Sequence, residues 1–255
     1  MDSSPPIRLL CTNDDGYMAT GLQVLAEAAR SLGRVTVVAP DREQSATSHA
    51  LTLHHPLRSR RAPDGTLVVD GTPTDCVILA VNALLDDRPD FCLSGVNHGP
   101  NMGEDVLYSG TVAAAMEATV LGIPAVALSY TGPNFESIEG WADTLSELLP
   151  RLVRPDVFPA HTLLNVNLPD IPPEELKGIR VTSLGRRRYS DSLTRATDPS
   201  GREYFWIGGG LSHWQGGADS DYRAVEDGYI SVTPLHLDLT NYDLIEEIRE
   251  WNLEL

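Results

Sequence analysis

Two short apolar runs near the start of the chain, separated by a helical pattern, constrain the fold more than any other feature. The runs lie at 7–12 (IRLLCT) and 35–39 (VTVVA) and are typical of buried parallel strands. Between them, one helix face is indicated by Leu22, Leu25, Ala26 and Ala29, and we expect Gly33 to end this helix. Because a strand–helix–strand order favours a βαβ unit, the sheet is expected to begin parallel.

Two adjacent carboxylates and a glycine, Asp14-Asp15-Gly16, follow the first apolar run. Ligands of open α/β sheets bind just beyond the carboxyl ends of the strands. Two carboxylates that converge there repel each other unless a proton or a cation offsets the repulsion, and a divalent metal ion is the simplest explanation. The alternative is a solvated Asp-Asp-Gly turn, which is the commonest fate of such residues.

The alternation of strands and helices continues as far as about residue 180. Further strands are predicted at 90–94, 123–129 and 163–169, and helices at 73–84, 111–121 and 135–149. Beyond this point Leu and Ala become rarer while Arg, Tyr, Trp and Gly become more frequent. We therefore predict an α/β core over 1–180 and a C-terminal arm over 181–255, which includes strands near 181–183 and 229–234 and a short helix near 241–252.

Composition excludes several classes of partner. The net charge of −17 argues against binding of polymeric nucleic acid, which usually requires a basic face. No apolar run approaches the ~18 residues of a membrane span, and residues 1–6 do not resemble a signal peptide. The three cysteines lack metal-binding spacing and indicate a reducing compartment. We expect a soluble cytoplasmic protein.

Three oxygen-rich loops follow predicted strands, and a doubly wound sheet would place them side by side. They cover 13–15, 41–48 and 94–111. Carboxylate, amide and hydroxyl oxygens suit Mg²⁺ or Mn²⁺, and the helix that opens at Ser109-Gly110-Thr111 offers free N–H groups to a phosphate. The combination indicates metal-assisted hydrolysis of a phosphate ester. Each loop also has a plainer interpretation as a turn, and Ser109 as a simple helix cap.

Six segments in order along nearly the whole chain resemble the SurE (survival protein E) family of metal-dependent nucleotide phosphatases. They are TNDDG at 12–16, VAPDREQSA at 38–46, GTPTDCV at 71–77, SGVNHGPNMG at 94–103, YSGTVAAAME at 108–117 and DSDYRAVEDGYISVTPL at 219–235. The resemblance implies that the metal ligands are Asp14, Asp15, Ser45 and Asn97. Of these, Asp14, Asp15 and Asn97 are the predicted catalytic residues. We expect the phosphate to be held by Asn101, Ser109, Gly110 and Thr111.

The same resemblance implies a fold, an activity and an assembly. The fold would be a Rossmann-like three-layer core with a mostly parallel sheet and a C-terminal extended arm or hairpin region. The activity would be hydrolysis of nucleoside 5′- or 3′-monophosphates with Mg²⁺ or Mn²⁺, over a broad range of substrates. Subunits would exchange C-terminal segments in a homodimer or homotetramer. The aromatics of the arm favour this assembly: Tyr189, Tyr204, Phe205, Trp206, Trp214, Tyr222 and Tyr229. The alternative is that the arm folds back on its own core.

Other functions fit the residues less well. A non-catalytic phosphate sensor would not need both Asp14 and Asp15. A dinucleotide oxidoreductase needs a G-x-G-x-x-G turn after the first strand, and a serine hydrolase needs a G-x-S-x-G elbow; neither is present there. The role of His98 stays open between a proton donor to the leaving oxygen and an exposed loop residue.

Overall fold

A nine-stranded sheet lies at the centre of the computed structural model, which describes residues 6–189, 193–207, 212–251 and 253. The first seven strands are β1 (Ile7–Thr12), β2 (Gly33–Pro40), β3 (Ser59–Arg61), β4 (Leu67–Val69), β5 (Phe91–His98), β6 (Ala125–Tyr130) and β7 (Thr162–Leu168). The remaining strands are β8 (Ile179–Val181), β9 (Arg186–Tyr189), β10 (Leu193–Thr197), β11 (Glu203–Ile207), β12 (Ser212–Gln215) and β13 (Ile230–His236).

The order of the large sheet is β3-β4-β2-β1-β5-β6-β7-β13-β8. From β4 to β7 all neighbours are parallel, whereas β3 is antiparallel to β4 and β13 is antiparallel to β7. The chain adds strands on one side of β1 and then, with β5, on its other side. The direction in which successive strands are added therefore reverses between β1 and β5. The parallel pairing from β4 to β7 confirms the predicted mostly parallel α/β fold.

Helices cover both faces of the sheet and complete three layers. The α-helices are α1 (Thr20–Ala29), α2 (Pro73–Leu79), α3 (Gly110–Val120), α4 (Ala142–Leu152), α5 (Asp221–Glu226) and α6 (Ile245–Arg249). A π-helical turn, Ala80–Leu84, extends α2, and 3₁₀ helices cover Gly103–Leu107, Phe135–Trp141, Pro155–Val157, Pro173–Glu175 and Tyr242–Leu244. One apolar core contains α1 and α4, and the other contains α2 and α3. In the described part of the chain, every helix is too short or too polar to cross a bilayer.

The C-terminal region leaves the sheet after β8 and returns to it with β13. Two separate antiparallel ribbons lie between these strands, β9 with β12 and β10 with β11. Extended hairpins after residue 180 were expected, and so was a strand near 229–234. The division of the chain into a core over 1–180 and an arm over 181–255 stays a prediction, and residues 1–5 of the N-terminal extension lie outside the described residues.

The prediction that Gly33 ends the first helix is wrong. Helix α1 ends at Ala29, and Gly33 is the first residue of β2, where it pairs with Ile7. A Cβ atom at Gly33 would lie 2.1 Å from the carbonyl oxygen of Ile7. The glycine is therefore required by close strand packing and not by a helix cap.

Candidate functional site

The predicted site lies where the strand order reverses, at the carboxyl ends of β1 and β5. Thr12 of β1 pairs with Ser94 of β5, and the chain continues from these positions to Asp14 and Asn97. Open α/β sheets bind their ligands in the crevice at such a reversal, because the loops on its two sides diverge there. The sheet thus brings the first and third oxygen-rich loops together.

Asp14, which follows β1, is a buried carboxylate that contacts the beginning of α3. Its side chain is only 4% exposed, and its Oδ1 accepts a hydrogen bond from the hydroxyl of Thr111. Burial raises the pKa of Asp14 to about 6; the Thr111 hydrogen bond acts against this shift, and the charge of Asp15 adds to it. A carboxylate held in this way gains stability in its ionised form from a cation.

Asp15 and Asn97 are linked through the backbone of the third loop. The N–H of His98 donates to Asp15 Oδ2 at 3.0 Å, and burial raises the pKa of this half-buried carboxyl group. The register of β5 against β6 shifts between Ser94 and Asn97, and Asn97 resumes the ladder as the partner of Ser129. The Asn97 amide nitrogen donates to the carbonyl of Gly99 at 2.8 Å, so the amide oxygen remains as the atom that could bind a metal.

The loop that carries Ser45 lies against the other two loops. The N–H of Gln44 donates to the carbonyl of Asp14 at 2.7 Å, and the N–H of Ser48 donates to the carbonyl of Tyr108 at 3.0 Å. Ser45 itself is exposed, and its hydroxyl donates to Glu43 Oε1 at 2.6 Å. The structure therefore brings the backbone on either side of Ser45 to the site, with a serine oxygen at the exposed side.

Helix α3 begins directly beside Asp14. The hydroxyl of Ser109 accepts from the N–H of Val112 at 3.1 Å, so Ser109 is a helix N-cap, as its plainer interpretation predicted. A Cβ atom at Gly110 would lie 2.8 Å from the Cβ of Asp14, so this approach requires a glycine. Thr111 contacts Asp14 through its hydroxyl, which is a role that the sequence did not indicate.

Asn101 lies in a buried network of amides at the ends of β6 and β7. Its side-chain nitrogen donates to the hydroxyl of Ser129 at 2.8 Å, and its N–H donates to Asn167 Oδ1 at 2.9 Å. Its carbonyl accepts from the amides of Asn165 and Asn167. The residue is thus held rigidly, and its role toward a phosphate stays a prediction.

The residues present fit a divalent cation with hard oxygen ligands. The predicted ligands are two carboxylates, an amide and a hydroxyl, which suit Mg²⁺ or Mn²⁺. Within the described ranges, no group of three or more His, Cys, Asp and Glu side chains is placed to hold a metal, and the predicted ligands include only two such residues. The buried Oδ1 of neighbouring Asn13 also lacks a hydrogen-bond partner among the described residues, which leaves an oxygen for a cation or its water.

Two further contacts near the site were not predicted from the sequence. His49 Nε2 lies 2.8 Å from Glu117 Oε2, which connects the Ser45 loop to α3. The ring of His98 stacks on Phe135, with ring centroids 4.5 Å apart. Phe135 lies beyond the end of β6, the strand next to β5, so its proximity to the third loop could have been inferred once the strand order was known.

Comparisons with known proteins match this chain to one family. The family model described as Survival protein SurE matches residues 9–191. A protein of Gemmatimonas aurantiaca named 5′-nucleotidase SurE is 62% identical over 249 residues, which are 96% of this chain and 98% of that protein. A protein of Methylococcus capsulatus with the same name is 49% identical over 245 residues, 96% of this chain and 97% of that protein.

A solved structure shares the architecture. The crystal structure of the SurE protein from Aquifex aeolicus superposes with a TM-score of 0.83 at 42% sequence identity, and the match covers 96% of this chain and 99% of that one. The family model, the relatives and this structure all agree with the resemblance that the sequence motifs indicated. This protein belongs to the SurE family.

Proposed function

We propose that this protein is a 5′-nucleotidase that uses Mg²⁺ or Mn²⁺ to release phosphate from nucleoside 5′-monophosphates, and also from 3′-monophosphates. One observation carries the proposal. Asp14 is buried against the beginning of α3, beside Asp15, at the carboxyl ends of the strands where the strand order reverses. The names of the relatives, 5′-nucleotidase SurE, support the same reaction.

The proposed metal ligands are Asp14, Asp15, Ser45 and Asn97. When bound, a divalent cation stabilises negative charge on the phosphoryl oxygens and makes water more acidic. The hydroxyl of Thr111 holds the Asp14 carboxylate in place, and the N–H of His98 does the same for Asp15. Both carboxylates are therefore fixed in position before a ligand arrives, which lowers the cost of arranging them during the reaction.

The phosphate is proposed to lie at the beginning of α3, near Asn101, Ser109, Gly110 and Thr111. Helix N-termini favour anions, because their first N–H groups have no partner within the helix and the helix dipole is positive there. Because the hydroxyl of Ser109 accepts from the N–H of Val112, the side chain of Ser109 orders this first turn of α3. The overall charge of −17 makes such local attraction necessary for an anionic substrate.

We also propose that the protein is a homodimer or homotetramer in the cytoplasm. Apolar side chains are exposed on β11, where Phe205 is 53%, Trp206 67% and Ile207 88% exposed. Large exposed apolar patches are typical of protein interfaces, and exchange of identical segments is a common route to symmetric assembly. The three cysteines are buried and unpaired, which supports a reducing compartment.

A metal-dependence assay tests the proposed reaction. Phosphate release from AMP, GMP and a chromogenic phosphate ester is measured after treatment with EDTA and again after Mg²⁺ or Mn²⁺ is restored. We expect activity that is lost with EDTA and regained with metal. Equal activity in EDTA would contradict the metal dependence, and no release under any condition would instead favour the phosphate sensor.

A further inference from the structure

His98 and Phe135 form an aromatic stack beside Asp15 for which the proposed reaction has no role. Their ring planes are inclined by 21° with centroids 4.5 Å apart, and His98 is exposed to solvent. The backbone of His98 contacts Asp15, and His98 directly follows the proposed ligand Asn97. The stack therefore lies at the rim of the site and within reach of a substrate whose phosphate is held there.

Phe135, the residue on which His98 stacks, is partly buried. It packs against the apolar core that contains α1 and α4, and its ring centroid is 6.4 Å from that of Tyr130. A Cβ atom at Gly21 would lie 2.7 Å from Phe135 Cζ and 2.1 Å from the carbonyl oxygen of Val96. The close backbone approach to Val96 requires a glycine at position 21, and the ring of Phe135 occupies the space beside it, where it supports the ring of His98.

We propose that the solvent-facing side of the His98 ring, supported by Phe135, stacks against the nucleobase of the substrate. This inference rests on the proposed function and adds a subsite for the nucleoside. Bases stack on aromatic side chains without much regard to their identity, because every base has a π-face. Since the ring pair is already assembled, little conformational freedom is lost on binding. Such a platform fits an enzyme that accepts several nucleotides.

Ribose 5-phosphate isolates the contribution of the base, because it carries the same sugar and phosphate as AMP without adenine. In His98→Ala, we expect KM for AMP to rise by about tenfold, near the lower end for loss of one base–aromatic stack, while kcat/KM for ribose 5-phosphate stays unchanged. The hydrogen bond to Asp15 is donated by the backbone, so this variant keeps it. All assays use the full chain with Mg²⁺.

His236→Ala is the matched control. His236 is exposed and pairs with Thr162, the first residue of β7, so it lies at the opposite edge of the sheet. We expect both substrates to be hydrolysed by this variant as by the unmodified protein. A similar loss of AMP preference in the control would overturn the platform, because the loss would not depend on the stack.

His98→Phe separates stacking from proton transfer. A phenyl ring stacks but cannot donate a proton, so we expect this variant to keep the preference for AMP over ribose 5-phosphate. If both His98 variants instead lost kcat equally on both substrates, His98 would be the proton donor and the platform would be wrong. If the unmodified protein hydrolysed neither substrate, the proposed function would fail and the platform with it. If it hydrolysed both equally well, only the platform would fail.

Discussion

The nine-stranded sheet and the β10–β11 ribbon are both made of β-strands, but they differ completely in what covers them. Every residue of β6 is buried, whereas every residue of β11 is exposed. An isolated two-stranded ribbon is at best marginally stable in water. The sheet is thus explained by contacts within the described chain, whereas the ribbon is left exposed there, and our proposed assembly would cover it.

The β9–β12 ribbon lies between these extremes. The N–H of Arg187 donates to Glu104 Oε2 at 2.6 Å, and its guanidinium group pairs with Asp105. Trp214 of β12 stacks on Tyr222 of α5 with centroids 5.0 Å apart. Two of the predicted arm aromatics, Trp214 and Tyr222, therefore pack on each other within this chain, whereas those of β11 are exposed. The side chain of Tyr189 lies outside the described residues.

The largest effect is expected at Asp14, which lies in the buried central sheet region of this comparison. Asp14→Asn should lower nucleotide turnover by at least about a thousandfold, because it replaces a charged carboxylate ligand with a neutral amide and so weakens the proposed metal site and the charge stabilisation that depends on it. Steady-state phosphate release with saturating Mg²⁺ measures it. The matched control is Asp143→Asn, an exposed carboxylate on α4, which should change turnover little. Near-normal turnover in Asp14→Asn would remove Asp14 from the site.

The next effect concerns Asp221, which joins the C-terminal region to the core. This buried carboxylate accepts hydrogen bonds from the N–H groups of Gly103, Gly185 and Tyr222 at 2.9, 2.8 and 2.7 Å. Asp221→Ala leaves these donors without an acceptor. We therefore expect the free energy of unfolding, measured by urea titration, to fall by about 4 kcal/mol.

Asp221→Asn provides the comparison for this prediction. It retains one acceptor oxygen, so the loss of stability should be smaller than in the alanine variant. If both variants were as stable as the unmodified protein, other contacts would hold the C-terminal region to the core.

A smaller effect is expected from the pH dependence of stability in metal-free protein. The pKa of Asp14 is raised to about 6, so between about pH 4 and 6 the folded state holds a proton that the unfolded chain has released. The contribution of Asp14 to the free energy of unfolding is therefore higher at low pH. It falls as the pH rises from about 4 through 6, by up to about 3 kcal/mol in total. Urea unfolding at pH 5 and pH 8, in EDTA, should show Asp14→Asn gaining relative stability at pH 8. An unchanged difference would contradict the raised pKa.

The smallest effect on the core is expected from removal of the exposed ribbon. Tyr189 pairs directly with Ser212, so residues 190–211 can be replaced by an Asn-Gly turn that joins β9 to β12. The thermal unfolding of the sheet should change little, while light scattering should show a smaller assembly. A fully retained assembly would place the interface elsewhere, and loss of the folded sheet would show that the ribbon supports its own core.

Strands β1, β2, β5, β6 and β7 could be predicted because each is locally apolar and ends in turn residues, whereas the short strands β3 and β4 were not predicted. The convergence of Asp14, Asp15 and Asn97 followed from the same reasoning, since parallel strands align their carboxyl ends. The pairing of β13 between β7 and β8 could not be predicted, because it joins residues far apart in the chain. The same holds for Asp221 and for the Glu117–His49 contact, whose meaning depends on neighbours that only the fold supplies.

The position of β13 also bears on how this protein is made. β7 and β8 follow one another along the chain, but in the sheet β13 separates them. As the chain leaves the ribosome, β7 therefore has an open edge until residues 230–236 emerge and pair with it. Unpaired strand edges are templates for pairing with other chains. The nascent protein thus carries an open strand edge while residues 169–229 are synthesised, and this is the surface that a chaperone would protect.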